Sequence, residues 1–299
     1  MSIQFRNYTG QAGITEDYYK VRAFLVKLGY AEFTYARWDW ATTHSYLDKA
    51  SVGKIGLWEE NNEVVGLATF DCFLGIAYCL TLPDYTVIKR DILQYAMDHL
   101  SNQGEFGVVI ADKDAEFLKI AEELGFSSTI EKEHDAAFFI DETSTEYKLP
   151  EGFVITSMEE TFDLSQYRSV LWKGFNHELN GEGEFLFTKE REESSKEEML
   201  RPNVNLSLKI AAVAPNGNFA AYCGMWYDPE AGFAVIEPVA TDPDYRKLGL
   251  GRAVVLEGIR RVDALGAKIA FVGSSQQFYY SIGMRPYAAS TVWRKPLEG

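Results

Sequence analysis

Val239-Ala240-Thr241-Asp242-Pro243-Asp244-Tyr245-Arg246-Lys247-Leu248-Gly249-Leu250-Gly251-Arg252 is the stretch that decides how this chain is read. An apolar strand ends in a turn, the turn carries two glycines, and a helical pattern starts at once. Glycine permits positive φ and close approach of the backbone to a ligand. The first amides of a helix have no partner within it and lie at the positive end of its dipole. A cradle of this kind suits an anion, above all a diphosphate. Arg246, Lys247, Leu248, Gly249, Leu250, Gly251 and Arg252 are the candidate residues.

Outward from this stretch the chain reads as one pattern written twice. The helix from Gly251 runs to Leu265 and stops at Gly266, a usual helix C-terminal signal. Strand 268–272, a short helix 276–282 and strand 287–294 follow. Upstream lie a strand at 153–156, a helix at 162–175 and a charged helix at 188–200. Strands 206–214 and 219–227 are joined through Pro215-Asn216-Gly217-Asn218, a hairpin signal, and strand 233–241 comes next. The first half repeats that order: strand 3–8, helices 14–28 and 41–49, strands 54–59, 64–70 and 74–82, helix 87–100, strand 107–111, helix 115–124, strand 136–140. Pro-Asp-Tyr precedes the long helix in both halves, at Pro83 and at Pro243. Gly125-Phe126 and Gly283-Met284 close the two short helices. The polar run Asp141–Glu146 reads as the linker. The expectation is two copies of one mixed α/β domain, 1–145 and 150–299.

Composition narrows the function. The chain has 299 residues, 46% of them hydrophobic and 14% aromatic, enough for two packed cores. No apolar run approaches the ~20 residues that span a bilayer, and the N-terminus lacks a signal-peptide layout. Cys72, Cys79 and Cys223 are too scattered for a disulfide framework, and with four histidines they form no metal-ligand spacing. Buried reduced thiols in a cytoplasmic protein, without metal, are expected. A formal net charge of −15 repels phosphate backbones, which argues against nucleic acid and anionic membranes as partners. Monomer and dimer stay equally open. An anionic ligand must then be held by local backbone dipoles.

The Arg-x-x-Gly-x-Gly run of Arg246, Gly249 and Gly251, with its Pro-Asp-Tyr lead-in, resembles the GNAT N-acetyltransferase superfamily. Tyr279 stands four residues before Gly283-Met284, where that family carries a tyrosine. The resemblance covers residues 151–299 and, more loosely, 1–140. It implies two tandem GNAT folds, each a mostly antiparallel central sheet flanked by helices, with acetyl-CoA as co-substrate. It implies that main-chain groups of Val239, Ala240 and Thr241 hold the acyl and pantetheine portions, and that Val239 polarises the thioester. Tyr279 would protonate the leaving sulfur. Glu237 stands where relatives place a base, and Pro238 beside it signals a distorted strand. Asn176 and His177 close a helix that walls the acceptor site in the family. Where many relatives have an asparagine after the fifth strand, this chain has Ser275-Gln276.

The expected function is transfer of an acetyl group to an amine of a small acceptor. Eight glutamates between Glu178 and Glu198, against Lys189, Arg191 and Lys196, favour a cationic acceptor if they line its cleft. A peptide or protein acceptor is the alternative enzyme reading. A non-catalytic acyl-CoA sensor or scaffold is the alternative outside enzymes. Aligning the Pro-Asp-Tyr landmarks sets Thr86, Lys89 and Asp91 against Arg246, Gly249 and Gly251, and Ala121 falls opposite Tyr279. The first copy is therefore expected to be degenerate.

Overall fold

The computed structural model describes residues 2–42 and 44–296. The chain forms two compact units. One runs to His134 and takes the chain's end from Ala288 onward, and the other is Asp135–Tyr287. The boundary expected between 145 and 150 thus lies inside the second unit, and the expected domain end at 299 falls beyond the described residues.

The first unit comprises β1 (Gln4–Asn7), α1 (Glu16–Leu28), α2 (Tyr35–Ala41), β2 (Gly56–Glu60), β3 (Glu63–Thr69), β4 (Ile76–Thr81), α3 (Lys89–His99), β5 (Glu105–Ala111), α4 (Ala115–Glu123) and the start of β6 (Ser127–Phe139). The second comprises β7 (Val154–Ser157), α5 (Leu164–Gly174), α6 (Lys189–Met199), β8 (Lys209–Val213), β9 (Phe219–Tyr227), β10 (Phe233–Thr241), α7 (Leu250–Ala264), β11 (Ile269–Val272) and α8 (Gln277–Ser281). β12 (Arg285–Pro296) ends the described chain.

The two units share one topology. In the first, β1 to β5 pair in sequence order, antiparallel except for the parallel pair β4–β5. In the second, β7 to β11 do the same, and β10–β11 is the parallel pair. The sixth strand of each is taken from the far side of a chain junction. Ser290–Pro296 of β12 pairs antiparallel with β5, and Ala136–Phe139 of β6 pairs antiparallel with β11.

The elements form for local reasons. Thr15 caps α1 by accepting from the Tyr18 amide, and Asp163 and Thr188 do the same for α5 and α6. Both short helices end in a Schellman motif with glycine at positive φ. The Phe126 amide donates to Ala121 O and the Met284 amide to Tyr279 O. Both Pro-Asp-Tyr runs form 3-10 turns. The helix expected at 41–49 is replaced by α2, which starts earlier because Thr34 caps it by accepting from the Arg37 amide. Beyond it Asp48 accepts from the Ala50 amide and from Ser51, a turn that competes with helix. Residues Leu206–Leu208, expected as strand, are a 3-10 turn capped by Asn205.

In the second unit the sheet is covered on both faces. Ile210, Ala221, Cys223, Met225, Ala234 and Ile236 pack with α7. Ala211, Tyr222 and Ala240 pack with Tyr167, Leu171 and Met199 of α5 and α6. All three cysteines are buried and unbridged. Among the described residues, no helix is long and apolar enough to cross a membrane.

Candidate active site

The site begins where two parallel strands part. β10 and β11 pair only from Phe233↔Ile269 to Val235↔Phe271. Beyond Val235, β10 stays on β9 alone as far as Thr241, and the pairing with β9 shifts between Ile236 and Val239. There Glu237 and the cis-linked Pro238 face the single residue Gly224, a β-bulge. Gly224 is required at this point, since a Cβ would lie 2.5 Å from the Glu237 carbonyl oxygen. The Trp226 indole donates to that same carbonyl at 3.0 Å. Val239, Ala240 and Thr241 form the free lip of β10 toward β11.

At the end of this lip stands the start of α7. Gly249 is the N-cap in the left-handed region (φ 81°), with no side-chain cap and no acidic residue in the first turn. Nothing lies within 4 Å of where its Cβ would point, and Lys247 also has positive φ. Leu250 is buried and anchors the helix, whereas Leu248 is exposed. The second glycine serves packing: a Cβ on Gly251 would lie 2.9 Å from Thr241 Oγ1 and 3.5 Å from the Phe278 ring. Gly249 and Arg252 also line an open cavity of about 680 Å³, shared with residues 145–148 and Arg260.

Arg246 faces the other way. Its guanidinium donates to Thr241 O, Gly174 O and Asn176 Oδ1, at 3.2, 3.0 and 2.6 Å. It ties the loop to the end of α5, where Gly174 abuts Ala240 too closely for any Cβ. Asn176 is thus brought to the end of β10 that leads into the Gly249 turn.

Tyr279, on α8 directly after β11, is nearly buried, and its hydroxyl hydrogen-bonds to no described residue. Burial, then the nearby Cys223 and Glu237, pushes the phenol well above its ordinary range. Burial likewise pushes the Cys223 thiol up to about 12, against the opposing charge of Lys209. Tyr279 and Cys223 lie in one buried cluster with Ile236, the residue before Glu237.

His177 stands apart from that group. Its ring stacks on Trp172 at 4.3 Å and Nδ1 lies 2.9 Å from Glu182 Oε1. Arg191 lies over Trp172 and Phe185, so α5, the following loop and α6 form one aromatic clamp. Of the eight glutamates, Glu198 accepts from Tyr167 and Arg168, and Glu178 from the Phe185 amide.

Three features escaped the sequence reading: the buried Lys209, Trp226 on the bulge, and Cys223 beside Tyr279. A glycine opposite a proline-bearing strand signals a bulge only once the register is known, so no local pattern announced them.

The sequence profile of the Acetyltransferase (GNAT) family matches residues 172–284. None of the curated proteins matches the chain in sequence. Among solved structures, a tandem GNAT protein from the clavulanic acid biosynthesis pathway is 11% identical with a TM-score of 0.63, over 100% of this chain and 99% of that one. An acetyltransferase from the GNAT family of Colwellia psychrerythraea is 10% identical (TM-score 0.60), over 97% and 98%. A GCN5-related N-acetyltransferase from Sphaerobacter thermophilus is 16% identical (TM-score 0.57), over 99% and 96%. At these identities the likeness is one of fold, and it spans both units.

Proposed function

We propose that this chain, a member of the acetyltransferase (GNAT) family by its second half and a tandem GNAT by its fold, transfers an acetyl group from acetyl-CoA to the amine of a small cationic acceptor. The observation that carries this reading is the parting of β10 from β11, with the uncapped start of α7 at one end and the Tyr279 hydroxyl beside it. An extended amide-bearing chain completes the open edge of β10, and a diphosphate meets the amides after Gly249. Lys247 and Arg252 add positive charge there. Arg246 acts through the loop it braces.

In the reaction the acceptor nitrogen attacks the thioester carbon, and the carbonyl oxygen gathers charge against the Val239 amide. Glu237 takes the proton that the nitrogen loses. As the carbon–sulfur bond breaks, the sulfur takes a proton from Tyr279, which recovers one from solvent. A raised phenol suits this donor. A thiolate forming in the same apolar pocket is desolvated as the Cys223 thiol is, so the two proton affinities rise together.

Three glutamates of α6, Glu190, Glu192 and Glu197, and Glu184 before it are without ion pairs among the described residues, which supports a cationic acceptor. Reduced thiols and the acidic balance support a cytoplasmic setting. In the first half Lys89 and Asp91 replace the two glycines, which supports one working site per chain.

The test is release of free CoA with a panel of amines. Tyr279→Phe is expected to lower turnover by about 10²-fold or more while acetyl-CoA still binds. Unchanged turnover removes Tyr279 from the mechanism. Binding of acetyl-CoA without CoA release for any amine or peptide favours a sensor, and release only with peptides moves the acceptor class.

A further inference from the structure

Lys209 is a charged residue almost wholly inside the second unit, with 3% of its surface exposed. It opens β8, and its register partner on β9 is Gly224. Gly224 in turn faces the Glu237–Pro238 bulge of β10. Lys209, Gly224 and Glu237 therefore form one row across three adjacent strands. Register partners point to the same face of a sheet, and strands lie about 4.8 Å apart. The Trp226 indole links the two ends of this row, since it meets both the lysine ammonium and the bulge.

The ammonium is held at two points. Nζ donates to Met225 O at 3.1 Å and lies 3.6 Å from the centroid of the Trp226 ring. The same indole donates to the Glu237 carbonyl. A buried ammonium is costly unless partnered, and a carbonyl and an aromatic face both favour its charged form. Its charge is felt at Cys223, and the charge of Glu237 is felt at Tyr279. None of the acyl-transfer steps uses this cation.

We propose that Lys209 is a positioning residue of the acyl-transfer site: its ammonium braces Trp226 under the β10 bulge and keeps Glu237 as the carboxylate that accepts the amine's proton. This rests on the reading of Glu237 given above. A nearby opposite charge favours the ionised form of a carboxyl. Other titratable groups around β10 are few. β9 contributes Cys223 and Tyr222, α8 contributes Tyr279, and α5 contributes Tyr167, Arg168, which pairs with Glu198 of α6, and Lys173, which pairs with Asp242 at the far end of the strand. β11 and the face of α7 on β10 are apolar.

The test compares the pH dependence of kcat/KM for one fixed amine acceptor, so that the acceptor's own ionisation cancels between variants. In Lys209→Met and Lys209→Gln the acidic limb is expected to move up by about one pH unit, because without the ammonium Glu237 holds its proton to higher pH. Lys209→Arg is expected to restore the limb, with the acetyl-CoA KM unchanged throughout. Lys209→Gln keeps a donor for Met225 O, so it carries the test should Lys209→Met fail to fold. A lowered kcat with the limb unmoved in both neutral variants overturns the proposal and leaves Lys209 a packing residue. Glu237→Gln separates the two failures. If it retains the wild-type limb, the reading of Glu237 itself falls. If it loses the limb while the Lys209 variants do not shift theirs, only the role of Lys209 falls.

Discussion

The two halves of this chain share an order of strands, a parallel pair at the same place and the same helix-ending motif, yet they differ where a cofactor would sit. Tyr85 and Tyr245, the tyrosines of the two Pro-Asp-Tyr turns, each hydrogen-bond to the neighbouring hairpin, through Glu60 and Asn216. β4 parts from β5 after Tyr78↔Val109 as β10 parts from β11. There the likeness ends. β4 keeps one register with β3 along its length, whereas β10 bulges at Glu237. In the first half Lys89 stands at the place of Gly249. Its ammonium lies 2.7 Å from Asp114 and 3.3 Å from Glu116, at the edge of a cavity of about 230 Å³. An ion pair occupies the place where the second half offers bare amides. A fold can thus keep its packing while these positions differ, because packing depends on many apolar positions and a site on a few residues.

The sharpest way to break the contrast is to write the first half into the second. Gly251→Asp introduces the residue found at Asp91, with a Cβ against Thr241 and a negative charge at the diphosphate position. Affinity for acetyl-CoA is expected to fall on the order of 100-fold, the loss of one or two charge-assisted hydrogen bonds. Calorimetric titration checks this, and retained affinity moves the diphosphate elsewhere.

An effect on stability rather than binding concerns Glu257 on α7, where the landmark alignment sets Met97. Burial raises its carboxyl, but hydrogen bonds from Arg260, Arg261 and Tyr147 outweigh that and hold it at about 2, against 4.5 unperturbed. The folded state thus depresses this pKa. The stability it contributes is full above pH 4.5 and is lost as pH falls toward 2. The contribution is about 3 kcal/mol. In Glu257→Gln, acid unfolding followed between pH 5 and 2 is expected to depend less steeply on pH. An unchanged slope contradicts the clamp.

The mildest change runs the other way. Lys89→Gly removes the pair with Asp114 and Glu116 and is expected to cost about 1–2 kcal/mol of stability. The stoichiometry of acetyl-CoA is expected to stay at one per chain, since Thr86, Asp91 and Ala121 remain. A second equivalent bound would show that the lysine alone closed the first site.

The repeat, the mixed α/β class, the glycine-bearing turn and the place of Tyr279 on a short helix were legible in the sequence because each is a local signal. Apolar periodicity names strands and helices, glycine marks positive φ, and a tyrosine at a set distance from a helix end faces a set direction. The tertiary structure decided what depends on neighbours distant in sequence. It decided that Ala136–Phe139 and Ser290–Pro296 complete sheets across the chain's junctions. It turned Arg246 from the expected anion site to Gly174 and Asn176, and it gave Gly251 to Thr241 and Phe278. It set Lys209 opposite Gly224 and Glu237, a row of three strands that no window of sequence contains. Local propensity acts through near neighbours along the chain, whereas register and burial are settled only when the strands meet.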